Sequence, residues 1–204
     1  MAFNDLKVSN KLKIKFIVVI SFLILTSIIA IFKLKDLNNV NKKLYNDHLI
    51  RMATISELNT NYAKSLSNLL SNTVEKFAEE NEVLKAENNA KLEIYKKGAI
   101  NEEDKSLIKK FEEDLSIYRK EVQEYIVIGK TGNQDEMKNK IYNITNINNS
   151  MLESLDKMVD LNNQWAKENV DYANGIYLNG VKWIIIFALL IFIASSILSY
   201  IITR

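Results

Sequence analysis

The last third of the chain joins a helical seam to an uncharged run long enough to cross a bilayer, and few folds accommodate both. From Met137 the inward-type positions step by alternate fours and threes through Ile141, Ile144, Asn148, Met151, Leu155, Met158, Asn162, Trp165, Asn169, Tyr172 and Ile176. The spacing predicts one helix beginning at about Gln134, and that helix leads into Trp183 to Thr203, 21 residues without a charge. At about 1.5 Å per residue such a run covers the roughly 30 Å hydrocarbon core of a membrane. A second uncharged run of 17 residues, Phe16 to Phe32, follows Lys7, Lys11, Lys13 and Lys15 and is closed by Lys33. It is long for the apolar part of a signal peptide and no small-residue cleavage site follows it, so it reads as a retained membrane helix.

Between these runs nothing favours strands. The chain has no proline and only five glycines, and period-two alternation of β-branched and aromatic residues is missing from its middle. Four lysines ahead of the first run set that side cytoplasmic, and two spans return the carboxyl end, with Arg204, to the same side. The organisation expected is a cytoplasmic tail over 1–15, a transmembrane helix over 16–32, an extracytoplasmic bundle over 33–182, a second transmembrane helix over 183–203 and the start of a cytoplasmic linker at 204. Residues 33–182 hold 22 Lys and Arg against 24 Asp and Glu, so the basic excess sits at the membrane flanks and argues against a nucleic-acid partner. Arg occurs three times in all while Lys, Asn and Ile abound, as an AT-rich bacterial gene would give.

The middle segment divides into four helices. The first continues upward from the first span with Leu34, Leu37, Leu44, Met52, Ile55, Tyr62, Leu66 and Leu69 at three-four spacing, with polar Asn41, His48, Asn59 and Thr73 at related positions, and ends between about Asn72 and Glu80. A second, over about Phe77 to Lys97, is anchored by Phe77, Leu84, Leu92 and Tyr95, with Glu87–Lys91 and Glu93–Lys97 in the favourable i,i+4 order. Gly98 ends it. Asn101-Glu102-Glu103-Asp104 then starts a third helix with a cap residue and three carboxylates at the positive end of the dipole, and its seam is Ile108, Phe111, Leu115, Tyr118, Val122 and Tyr125. Gly129 and Gly132 make the turn into the last helix. Sequential amphipathic helices with short turns predict an all-α fold, an antiparallel up-down-up-down four-helix bundle carried by two transmembrane helices.

No catalytic constellation is present. Absent cysteine removes thiolate nucleophiles and thiolate metal sites, and a lone His48 leaves little for acid-base or metal chemistry. Glu75, Glu79 and Glu82 share a helix face and read as a solvated charged surface. His48 reads as an ordinary packed or half-exposed histidine, and the recurrent seam asparagines Asn148, Asn162 and Asn169 as register-setting positions. No enzyme activity, metal or cofactor is expected.

The opening Met1-Ala2-Phe3-Asn4-Asp5-Leu6-Lys7-Val8-Ser9-Asn10-Lys11-Leu12, followed by a span and Leu34-x-x-Leu37, resembles the start of bacterial methyl-accepting chemotaxis proteins. Ile128-Gly129-Lys130 resembles the turn before the last helix of their sensor bundle, and Ile201-Ile202-Thr203-Arg204 the junction with their cytoplasmic HAMP linker. The resemblance covers essentially the whole chain. It implies a homodimeric receptor in the inner or plasma membrane, sensing a small molecule directly or through a ligand-binding protein, and acting on cytoplasmic signalling partners through a region beyond Arg204. It further implies a ligand site near the distal dimer interface between the first and fourth bundle helices; the expected residues are Asn61, Tyr62, Lys64 and Asn68 with Asn146 and Asn149. Amino-acid receptors of this class grip the ligand carboxylate with arginines on the first helix, whereas here Lys64 is the sole basic residue between Ile55 and Glu75. Two other readings stay open: the sensory front of a membrane histidine kinase or diguanylate cyclase, and a structural bundle without a ligand. Ending at Arg204, the sequence is expected to be a sensor fragment or a truncated product.

Overall fold

A computed structural model describes residues 8–99 and 101–203. Among them there is no strand, and the helices are α1 (Val8–Lys43), a π-helical segment (Leu44–Leu49), α2 (Ile50–Ser71), α3 (Val74–Lys97), α4 (Glu102–Thr131) and α5 (Gln134–Thr203). The chain divides into two compact units, Lys43–Lys167 and the pair Met1–Lys42 with Glu168–Arg204.

The first unit is the bundle. Its core takes Ile55, Leu58, Tyr62 and Leu69 from α2, Phe77, Leu92 and Tyr95 from α3, the whole expected seam of α4, and Ile144, Met151, Leu155 and Met158 from α5. Each large side chain buried there contributes on the order of 1.5–3 kcal/mol. Tyr62 meets Phe111 and Tyr118 edge to face at 5.7 and 5.9 Å, and Phe77 meets Tyr125 at 5.7 Å, which keeps ring edges against ring faces. The polar pairs give the topology. Asn61 pairs with Asn88 and Ser65 with Asn81, so α2 and α3 run oppositely. Asn89–Arg119 and Lys96–Glu112 do the same for α3 and α4, and Glu121–Lys140 and Asp114–Ser150 for α4 and α5. Asn59–Asp156 closes the ring between α2 and α5, while Ser65–Tyr118 crosses the diagonal in parallel. This is the expected up-down-up-down bundle.

Local chemistry sets the helix ends. The Asn101 side chain accepts from the Asp104 amide at 2.9 Å, and Glu102, Glu103 and Asp104 fill the first turn of α4. Thr73, expected on a seam, is instead the N-cap of α3, its hydroxyl accepting from the Lys76 amide at 3.4 Å, so α2 stops at Ser71 and α3 begins at Val74. Gly132 takes a left-handed φ of 76° after α4. Gly129 is not a turn residue. It lies inside α4, where a Cβ would come within 2.6 Å of Val74 Cγ2, so its role is to admit the start of α3. Glu93 pairs with Lys96 at 2.9 Å rather than with Lys97, because Lys96 also reaches Glu112 on α4 at 2.7 Å.

The second unit is built from α1 and the carboxyl-terminal part of α5. Its apolar side chains, among them Phe16, Ile20, Leu23, Ile185, Leu189 and Phe192, are exposed. Both helices carry windows long and apolar enough to cross a membrane, and no residue of those windows is buried inside the chain. Ile176 and Gly180 turn inward, and Gly180 lies against Lys33, whereas Tyr172, expected to continue the α5 seam, is 64% exposed. The seam that serves the bundle does not carry over, because in this unit α5 packs against a single helix.

Candidate functional site

Helices α2, α3 and α4 face one another through aliphatic and aromatic residues interrupted by a polar layer. On α2 the inward seam reads Arg51, Ile55, Leu58, Tyr62, Ser65 and Leu69, and on α3 it reads Phe77, Asn81, Leu84, Asn88, Leu92 and Tyr95, all buried. Asn61 donates its amide hydrogen to Asn88 Oδ1 at 2.8 Å. Ser65 donates to Asn81 Oδ1 at 3.2 Å, and its oxygen lies 2.7 Å from the Tyr118 hydroxyl. Ser65, Asn81, Asn88 and Tyr118 border a cavity of about 40 Å³ that Tyr62 and Leu115 also line. Burial pushes the Tyr62 and Tyr118 phenols above the ordinary tyrosine value, so both stay neutral hydroxyls.

A second buried cluster joins α2, the α3 terminus and the start of α4. Arg51, 2% exposed, forms an ion pair with Asp104, which is fully buried, and also donates to the Gly98 carbonyl. Its guanidinium stands 4.0 Å from the Tyr95 ring centroid, and the Tyr95 hydroxyl donates to Asp104 Oδ1 at 2.8 Å. Burial is the main cause of the raised Tyr95 pKa. The guanidinium thus neutralises a buried carboxylate, terminates a helix and covers an aromatic face. Arg51 is the single arginine of α2, and this commitment takes it out of ligand recognition by that helix.

The expected site residues divide into two sets. Asn61 and Tyr62 are buried, and Tyr62 lines the α2–α3–α4 cavity. Lys64 is exposed beside Lys76, Glu79 and Glu80, and Asn68 is half-buried with its side-chain amide nitrogen unpartnered. On α5, Asn146 and Asn149 are exposed, and the asparagine that reaches α2 is Asn148, which donates to the Tyr62 carbonyl at 3.1 Å. Single-chain packing therefore does not bring the six residues together. The sequence reading passed over Ser65, Asn81, Asn88 and Tyr118 as a group, although Asn81 and Asn88 fill the gaps in the α3 seam. Arg51 and Asp104 each sit four residues before the first aliphatic of the α2 and α4 seams, so the sequence places two charges at inward positions without showing that they pair. His48 Nδ1 lies 3.4 Å from Asn162 Oδ1, so it is a half-buried packed histidine.

No curated protein and no solved structure matches the chain. A family model described as a four helix bundle sensory module for signal transduction, of the methyl-accepting chemotaxis type, matches residues 5–177. With that match over most of its length, and the antiparallel bundle built as the contacts require, the chain belongs to this family of sensory modules.

Proposed function

We propose that the chain is a two-pass chemoreceptor sensor whose bundle lies outside the membrane, binds a small ligand as a homodimer and passes occupancy to its second membrane helix. The family match carries this reading, and it is supported by α5, one 70-residue helix that contains both the fourth seam of the bundle and the uncharged run ending at Thr203. A ligand moves such a helix only by binding one arrangement better than another, with coupling that typically amounts to about 1–3 kcal/mol. Lys64, Asn146 and Asn149 are open to a ligand shared with a partner copy, and Asn68 has an amide hydrogen to give. Asn61 and Tyr62 act from behind, by holding α2 against its neighbours.

The test uses the full chain in lipid nanodiscs, melted in the presence of a panel of small metabolites. A true ligand at 100 times its dissociation constant adds about 2.7 kcal/mol and raises the melting temperature. Cysteine crosslinking along α2 reports the dimer in parallel. A crosslinked dimer whose melting no metabolite changes, and which gains no stability from a periplasmic extract, supports the structural reading instead.

A further inference from the structure

The uncharged runs of α1 and α5 stop at one level. Lys33 closes the first run, Lys182 precedes the second, and the Lys33 stem passes Gly180 so closely that a Cβ there would stand 3.7 Å from Lys33 Cγ. Between the two helices at this level runs a groove of about 210 Å³. Ile29 and Leu34 on one side and Ile176, Val181 and Ile184 on the other make it largely aliphatic, and Gly180 keeps it open by having no side chain. Its one charged lining group is Lys33. Water finds few hydrogen-bond partners in such a space, so a groove of this size is filled by something apolar.

Charge names the occupant. Exposed Lys35 and Lys182 follow Lys33 and Gly180 by two residues each, so three ammonium groups gather where the groove opens. Against them stands Asp36: α5 carries no carboxylate from Tyr172 to Thr203, and α1 none from Val8 to Lys35. Asp36 lies 3.9 Å from Lys33 with both side chains exposed, and so open a pair holds weakly. A second copy is the wrong partner. Copies of one chain share one orientation in the membrane, so a twofold contact on this face would bring Lys33 to Lys33 and Lys182 to Lys182 at a single depth. A phospholipid brings the opposite sign, because its chain is apolar and its phosphate sits at the depth where the uncharged runs stop.

We propose that this groove binds an acyl chain of an anionic phospholipid, with the phosphate at the Lys33 ammonium and the negative headgroup held in the field of Lys35 and Lys182. The inference rests on the reading of α1 and α5 as membrane spans and not on any ligand of the bundle. The site is complete within one chain. A chain seated there fills the space that Gly180 leaves beside Lys33, so it sets how closely α1 and the end of α5 approach. Bilayer composition thereby acts on the same helix through which the bundle's signal is proposed to leave.

The experiment places the full chain in phosphatidylcholine nanodiscs with a trace of phosphatidylglycerol or phosphatidylcholine carrying a diazirine on the acyl chain, and maps the adducts by mass spectrometry after irradiation. Label from phosphatidylglycerol should concentrate on Ile29, Leu34 and Val181, saturate, and yield to unlabelled phosphatidylglycerol about tenfold more readily than to phosphatidylcholine. Exposed Leu23 and Leu189, away from the groove, should label equally from both lipids. Gly180→Leu fills the groove and should abolish its adducts while sparing those two positions. Lys33→Gln should weaken the preference for phosphatidylglycerol about fivefold. Equal labelling by the two lipids, or groove adducts that survive Gly180→Leu, would mean ordinary bilayer lipid only and overturn the proposal. An unchanged preference in Lys33→Gln overturns it too, as does a disulfide between two Val181→Cys copies that forms despite saturating phosphatidylglycerol, since the groove is then covered by a second copy. If Gly180→Leu fails to insert, Ala30→Leu fills the same groove from α1. Failure of the native chain to enter nanodiscs would sink the two-span reading instead, so the two failures are told apart.

Discussion

Arg51 is the residue on which most of the buried electrostatics converges. Removing one member of a buried pair leaves an uncompensated charge, so Arg51→Ala should destabilise the bundle by about 3–5 kcal/mol. Replacing both members with apolar groups, Arg51→Met with Asp104→Leu, should recover most of that loss. Arg51→Lys should not, since an ammonium cannot at once reach Asp104, cap the Gly98 carbonyl and lie flat on Tyr95. Thermal melts of the four proteins followed by circular dichroism check the series, and a double variant no better than Arg51→Ala would contradict it. At this scale the sequence was only partly readable. The aliphatic seams were plain, but a charge at a seam position takes its meaning from what lies opposite, and the 53 residues separating Arg51 from Asp104 hide their pairing.

Helices here are limited by close approaches and clamps that spacing alone does not reveal. A Cβ at Gly129 would stand 2.6 and 2.7 Å from the two Val74 methyls, so Gly129→Ala should cost about 1–3 kcal/mol, and Val74→Ala in the same chain should relieve it. Gly175 and Gly180 behave differently. Nothing lies within 4 Å of a Cβ at Gly175, and at Gly180 the nearest atom is Lys33 Cγ at 3.7 Å. Alanine at both should fit and raise helix stability by roughly 0.5–1 kcal/mol each. Signalling by that double variant then separates the two uses of α5: locked output marks the glycines as a joint, and unchanged output marks a rigid rod. The α4–α5 clamp responds to acid. Hydrogen bonding from Lys140 holds Glu121 below the ordinary carboxylate range. A carboxyl whose folded pKa is depressed stabilises above its unfolded value, about 4.3, and that contribution is lost as pH falls through the folded value. Stability should therefore fall more steeply below about pH 4 in the native chain than in Glu121→Gln, by about 1 kcal/mol or less for this partly buried surface pair, as read from melts across pH.

For the whole molecule the membrane topology is the property to measure. A cysteine replacing exposed Lys97, near the end of α3, should react with an impermeant maleimide applied to intact cells. Protection of that cysteine until the cells are opened would reverse the proposed sidedness. The same experiment with a cysteine at Lys11 should give the opposite pattern under the proposed sidedness, which the four lysines ahead of the first uncharged run favour.

The sequence by itself determined the helices, their order and the two apolar runs, because helical periodicity and the absence of proline act within a few residues of the chain. The antiparallel bundle followed from short turns, and the expected α4 seam matched the buried apolar and aromatic side chains of that helix, leaving out only the buried Asp104. Tertiary structure decided which polar seam residues meet. It put Thr73 at a cap, turned Tyr172 outward, buried Asn61 and Tyr62 while leaving Asn146 and Asn149 at the surface, and gathered Ser65, Asn81, Asn88 and Tyr118 around one cavity. The physical reason is that burying a polar group is costly unless a partner satisfies it, and for these residues the partners come from other helices, so their roles are fixed only when the helices pack.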